Sequence, residues 1–272
     1  MCGRYVQVST VENIEKRFNI DASGIQLEKQ YNVAPGNYAP IILDRSKHKL
    51  TMGQFGFSPS WAKKRMFLFN ARSEGDNNKE NDPEYTGGKG IIHKPAFRQS
   101  IRSKRCLIPA DAFIEGTTKE RLNKPYLVYL KNKERPFAFA GIYDEWVDPS
   151  SGEIFLTYAI ITTTANSLLQ KIPHHRSPVI LRKKHEGAWL NSKSPLTDIT
   201  RLLQPYPSEE MNAYPISNAI KSPSSEGKEL IDPIGERLGP ESEIRFTKEN
   251  KLTGMGHSPG RERRLDDSSP KK

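Results

Sequence analysis

Cysteine is nearly absent from this chain: its 272 residues hold two, Cys2 and Cys106, too few for a disulfide framework and without the spacing of a zinc site. A reducing, intracellular setting is therefore expected. Long apolar runs are missing as well. No stretch reaches the roughly eighteen residues that a membrane helix needs, and Met1-Cys-Gly-Arg-Tyr opens no apolar segment of a secretory signal. A membrane partner is thus not expected. Internal repeats are also lacking.

Positive charge is in excess. There are 42 Lys+Arg against 32 Asp+Glu, a formal net charge of +10, which favours a polyanionic partner. Between Lys63 and Arg105 lie eleven basic and five acidic residues, beside Trp61, Phe67 and Phe97. That mixture suits single-stranded nucleic acid, or else a solvated basic face above core aromatics.

Strand-like runs occur at Ile41–Leu43, Leu50–Phe57, Phe67–Phe69, Cys106–Ile108, Tyr126–Leu130, Phe137–Tyr143 and Phe155–Thr163, mostly divided by Gly, Pro, Asn or Asp. Helical patterns are fewer. One follows Ser9-Thr-Val-Glu12, which has the form of a capping box, and others lie near 165–171, 186–190 and 199–204. The expected class is α+β, dominated by a mostly antiparallel, barrel-like sheet with a few flanking helices. The organisation reads as one domain over 2–236, with an almost apolar-free insertion at 75–90 expected to be a mobile loop. A charged tail rich in Pro, Ser and Gly, over 239–272, is expected to be unstructured.

Cys2 has a chemistry of its own. Small residues at positions 2 and 3 permit removal of Met1, which leaves an α-amine and a thiol on one residue, a 1,2-aminothiol. Such a pair can form an imine with an aldehyde and close it into a five-membered thiazolidine, a route denied to an internal cysteine. The amine titrates near pH ~8 and the thiol near ~8.5, so a cation such as Arg4 would assist the thiol. Taken alone, Cys2 reads equally as an incidental small residue near a terminus.

Six motifs occur in order: Met1-Cys-Gly-Arg-Tyr, Tyr31-Asn-Val-Ala-Pro-Gly, Phe69-Asn-Ala-Arg-Ser-Glu, Lys94-Pro-Ala-Phe-Arg, Arg105-Cys-Leu-Ile-Pro-Ala-Asp with Glu115, and His174-His-Arg-Ser-Pro. Together they resemble the SRAP family, named for an SOS-response-associated peptidase. It includes abasic-site processing proteins that crosslink to single-stranded DNA through an N-terminal cysteine. The resemblance runs from Cys2 to about Pro233. It implies that Cys2 is the nucleophile, that Asn70 positions the amine and the sugar, that Glu115 shuttles protons, and that His174 protonates the ring oxygen or assists reversal. It also implies that Arg4, Arg72 and Arg176 grip phosphates and that Trp61 stacks on a base. His175, at the variable position of its motif, is expected to face solvent.

The expected partner is single-stranded DNA carrying abasic sites, bound by a monomer. No metal or organic cofactor is required, and any replication-associated partner is left unnamed. The chain departs from the family pattern in its long 75–90 connection, in Gly116 and Phe55 where Trp is usual, and in Tyr214, to which no role is carried. A Cys/His/Asn set also permits thiol peptidase or autopeptidase chemistry, with His174 as base and Asn70 as orienting or oxyanion group.

Overall fold

A computed structural model describes residues 2–44, 49–132 and 135–241. The chain divides after Gly239, and the second unit, Pro240–Lys272, is described only at its first two residues. The expectation of an unstructured tail thus falls almost wholly outside the described residues.

Among the described residues thirteen strands and five α-helices follow one another as β1 (Tyr5–Gln7), α1 (Val11–Phe18), β2 (Gln30–Val33), β3 (Tyr38–Leu43), β4 (Leu50–Phe55), β5 (Asn70–Arg72), α2 (Ser100–Ser103), β6 (Arg105–Ala110), β7 (Ala112–Thr117), β8 (Arg121–Leu130), β9 (Phe137–Val147), β10 (Ile154–Thr164), α3 (Ser167–Lys171), β11 (Arg176–Pro178), β12 (Ile180–Leu181), α4 (Lys183–Leu190), α5 (Leu196–Arg201) and β13 (Met211–Pro215). β10, β4, β3, β6 and β9 pair in that order, and β9 pairs back onto β10, so five strands close a barrel. β13, β8, β7, β1 and β2 form a second sheet. The expected class holds: β dominates, and every pairing between strands is antiparallel except β10 with β4 and β5.

The central strand β9 is buried on both faces through most of its length, which is why Phe137-Ala-Phe-Ala-Gly-Ile-Tyr reads as one apolar run rather than an alternation. Gly141 is needed there because a Cβ would lie 2.6 Å from Ile108 Cδ1 and 2.7 Å from Cys106 Sγ. Tyr5, Phe55, Phe139 and Tyr158 pack into one core, where Tyr5 stands edge-on to Phe55 and Phe139. A second core lies beneath α1 and α4, around Ile14, Phe57 and Trp189.

Two local expectations shift. The helix cap is Thr10, whose Oγ1 accepts from Asn13 N at 3.4 Å. Ser9 is engaged elsewhere, its hydroxyl donating to Asp111 Oδ1 at 2.6 Å while Val8 N and Ser9 N donate to Asp111 Oδ2 at 2.7 and 2.9 Å. The expected strand at Phe67–Phe69 begins only at Asn70, because Phe67 is left-handed at φ 50° and Leu68 makes no more than an isolated bridge to Phe57. No helix among the described residues is long and apolar enough to cross a membrane.

Candidate active site

Antiparallel pairing delivers Cys2 to its neighbours. β1 pairs with β7 at Tyr5–Phe113 and Val6–Ala112, and Ile114 N donates to Arg4 O, so the chain ahead of β1 runs alongside Glu115 and Gly116. From the barrel, Asn70 opens β5, and its Nδ2 donates to Cys2 O at 2.8 Å and to Phe69 O at 3.0 Å. Its Oδ1 is buried without a partner among the described residues. Asn70 thus fixes the backbone of Cys2 and keeps one acceptor in reserve beside it.

The other half of the site is a proton pair. His174 Nδ1 lies 2.7 Å from Gly116 O, and since a carbonyl can only accept, Nδ1 carries the hydrogen. Nε2 then faces Glu115 Oε2 at 3.3 Å, with both side chains buried. A neutral Nδ1–H imidazole offers a lone pair there, so the contact is attractive when one proton is shared between carboxyl and ring. Burial pulls His174 below its ordinary pKa, against the opposite pull of Glu115. Burial, reinforced by the charge and hydrogen bond of Glu115, pushes the Cys2 thiol well above its ordinary value. Cys2 is 2 % exposed and protonated at neutral pH.

The three arginines have different surroundings. Asn70 pairs with Ile160, Arg72 with Thr162 and Arg176 with Thr164, and directly paired residues share a sheet face, so Asn70, Arg72 and Arg176 rise from one face. Arg176 is nevertheless buried: Nη2 donates to Glu74 Oε2 at 2.8 Å and to Thr162 Oγ1 at 3.2 Å, while Nε and Nη1 find no partner among the described residues. Arg72 Nη2 donates to Asn78 O and to Asn81 Oδ1, both in the 75–90 segment. That segment folds on itself. Asp82 N donates to Asn78 Oδ1 and Asn78 Nδ2 to Asp82 O, while Gly75 and Gly90 meet at its neck, where a Cβ on Gly75 would lie 2.8 Å from Gly90 C. Arg4 is half-buried and donates to Gly3 O and Lys221 O, with no carboxylate partner among the described residues.

Trp61 stands on the segment that leads into β5 and is 56 % exposed. Beside it Met66 and Phe67 are also exposed, an unusual concentration of apolar surface on a segment that carries Lys63, Lys64 and Arg65. The guanidinium of Arg65 lies 4.1 Å from the Phe155 ring centroid and 4.7 Å from that of Phe67, and Trp146 Nε1 donates to Ala62 O at 2.7 Å. The platform is thereby pinned to the β9–β10 hairpin.

Sequence reasoning missed several residues. Phe67 belongs to the basic-plus-aromatic stretch, whereas Met66, neither basic nor aromatic, gives no signal in the sequence. Asp111 lay inside a motif without a role. His175, expected to face solvent, is half-buried and stacked on His174, its ring centroid 5.2 Å away. Among the described residues no group of three or more His, Cys, Asp or Glu is arranged to hold a metal.

The family model described as SOS response associated peptidase (SRAP) matches residues 1–223. The abasic site processing protein YoqW of Bacillus subtilis is 38 % identical over 240 residues, covering 85 % of this chain and 99 % of that one. The abasic site processing protein HMCES of Gallus gallus is 28 % identical over 257 residues, covering 81 % and 70 %. An X-ray structure of a protein from Bacteroides thetaiotaomicron superposes with a TM-score of 0.72 at 29 % identity, covering 85 % of this chain and 99 % of that one. The ordered motifs, the barrel and the match over residues 1–223 have one consequence: the chain belongs to the SRAP family.

Proposed function

We propose that this protein processes abasic sites in single-stranded DNA by capturing them covalently on Cys2. The observation that carries the reading is the convergence of buried Cys2, Glu115 and His174 with half-buried Asn70, in a chain whose relatives are named abasic site processing proteins.

The chemistry follows from the groups present. Met1 is removed and Cys2 gains a free α-amine, for which Asn70 Oδ1 is the waiting acceptor. The abasic deoxyribose opens when its C1′–O4′ bond breaks: O4′ takes a proton from the Glu115–His174 pair and the C1′ hydroxyl returns its own proton to that pair, leaving an aldehyde at C1′. The amine adds to that carbon, and water leaves as the imine forms. The thiol sulfur then bonds to the same carbon, and its proton passes by way of Glu115 to the imine nitrogen. The product is a thiazolidine, and the sum of DNA and protein has lost one water. A thiol held protonated against a carboxylate suits this last step, since sulfur and proton are both consumed. Phosphates flanking the lesion would meet Arg4 and Arg72, with Arg176 behind them, and a base would stack on Trp61 for about 1–3 kcal/mol.

The peptidase reading fits less well. Its nucleophile would be a thiolate, which burial and Glu115 oppose, and its orienting group would be Asn70, whose Nδ2 is taken by Cys2 O and Phe69 O. Single-stranded DNA bearing one abasic site should give, on a denaturing gel and by intact mass, an adduct equal to protein plus DNA less one water. Absence of adduct from wild type, or the same product from Cys2→Ala, sinks the mechanism.

A further inference from the structure

Two adjacent imidazoles stack beside Glu115. The His175 ring lies over that of His174, centroids 5.2 Å apart and planes 15° from parallel. Thr118 fixes its orientation. Thr118 Oγ1 donates to Pro173 O at 2.8 Å, so in its 2.9 Å contact with His175 Nδ1 the imidazole is the donor. His175 is then an Nδ1–H tautomer, as His174 is by its bond to Gly116 O. Both anchors, Gly116 and Thr118, belong to the end of β7 and the turn after it, so one short segment sets the stack.

The charged and titratable groups around the two rings come from every neighbouring element: Glu115 on β7, Arg72 on β5, Arg176 on β11, and the N-terminal amine and Cys2 ahead of β1. Burial first, then His174, the N-terminal amine and the two arginines, hold His175 down to about 4. It meets His174 as a neutral ring throughout the physiological range.

We infer that His175 is a positioning residue for the proton of the Glu115–His174 pair: locked by Thr118 and stacked as a neutral plate on His174, it keeps that pair to one shared proton. The inference deepens the abasic-site reading and its kinetic arm rests on it. Its spectroscopic arm does not. A carboxylate at position 175 would stabilise a second proton on His174, and an ammonium would oppose it.

The test is a titration of 13C-histidine-labelled full-length protein by NMR, alongside the pH–rate profile of adduct formation on abasic single-stranded DNA. His175→Asp should move the His174 midpoint up by about one pH unit and carry the rising limb of the profile with it. Should that variant fail to fold, His175→Lys serves with the opposite sign. Thr118→Val should leave His174 titrating while the His175 midpoint moves towards that of a free imidazole. A His174 midpoint unmoved by a folded charge variant overturns the inference, whatever the DNA chemistry. A midpoint that moves in a protein forming no adduct supports the coupling of the rings and rejects the abasic-site reading instead.

Discussion

Glu74 and Arg176 form an ion pair in which each side chain is almost inaccessible to solvent, at 0 % and 2 % exposure. Burial, the largest single influence, would raise the Glu74 carboxyl, but the charge and hydrogen bond of Arg176, with a backbone hydrogen bond and the charge of Lys89, together hold the group below the ordinary carboxylate range. Thr163 Oγ1 donates to the other carboxylate oxygen at 3.1 Å, so both oxygens are bonded. Such a pair contributes little net stability over an apolar isostere, yet losing one partner strands a buried charge. Glu74→Ala should therefore cost about 3–5 kcal/mol in urea unfolding. A double replacement, Glu74→Leu with Arg176→Met, should regain most of that. If the single variant unfolds at the wild-type urea concentration, the pair is not the support of the site. The motif Phe69-Asn-Ala-Arg-Ser-Glu contains Glu74 but assigns it no role. Its partner is 102 residues away in sequence, and only the three-strand arrangement of β5, β10 and β11 reveals it.

The elements divide by how much of their pattern is local. β9 and β10 are long, apolar and β-branched or aromatic, and both were legible, as were the three longest helices. β5, β11 and β12 are two or three residues each, and no periodicity exists in so short a span; tertiary pairing alone makes them strands. The site residues sit mainly on such pieces or at their ends, which is why their roles came from motif order and not from pattern. Gly116, where the family usually has Trp, acquires a physical reason. β7 and β8 slip register between Gly116 and Thr117, and a Cβ on Gly116 would lie 1.7 Å from Arg121 O. Gly116→Ala should destabilise the fold by roughly 1–3 kcal/mol and slow adduct formation, because Gly116 O also anchors His174; a variant that unfolds and reacts as wild type refutes this. The 75–90 segment makes a separable prediction. Asn81 touches Arg72 and none of the reacting groups, so Asn81→Ala should weaken binding of undamaged single-stranded DNA by about fivefold, roughly 1 kcal/mol, with the saturated adduct rate unchanged. Fluorescence anisotropy and a single-turnover time course would separate the two quantities.

For the molecule as a whole, the groups that form the site also set its stability against pH. His174 and His175 are held below the ordinary histidine value of 6.5. At a pH between the folded and unfolded values the unfolded chain therefore binds more protons, and stability rises with pH through that window. Stability from these two rings is fully present above 6.5 and is lost as pH falls, His175 finishing near 4. Glu74 acts in the same direction lower down, from its ordinary 4.5 downwards. Cys2 and Cys106 are held well above 9.0, and Tyr5 and Tyr158 above 10.0, so there the unfolded chain loses protons first and stability falls as pH rises past those values. The expected profile is a dome with a plateau between about 6.5 and 9.0, measured as the urea midpoint at fixed ionic strength. Cys2→Ala should flatten the alkaline limb and leave the acid limb in place, because the raised thiol of Cys2 goes with it while the histidines stay. A midpoint that rises as the solution is acidified from 6.5 towards 5 would show that the two imidazoles are not buried as neutral rings, and the one-proton description of the Glu115–His174 pair would fail with it.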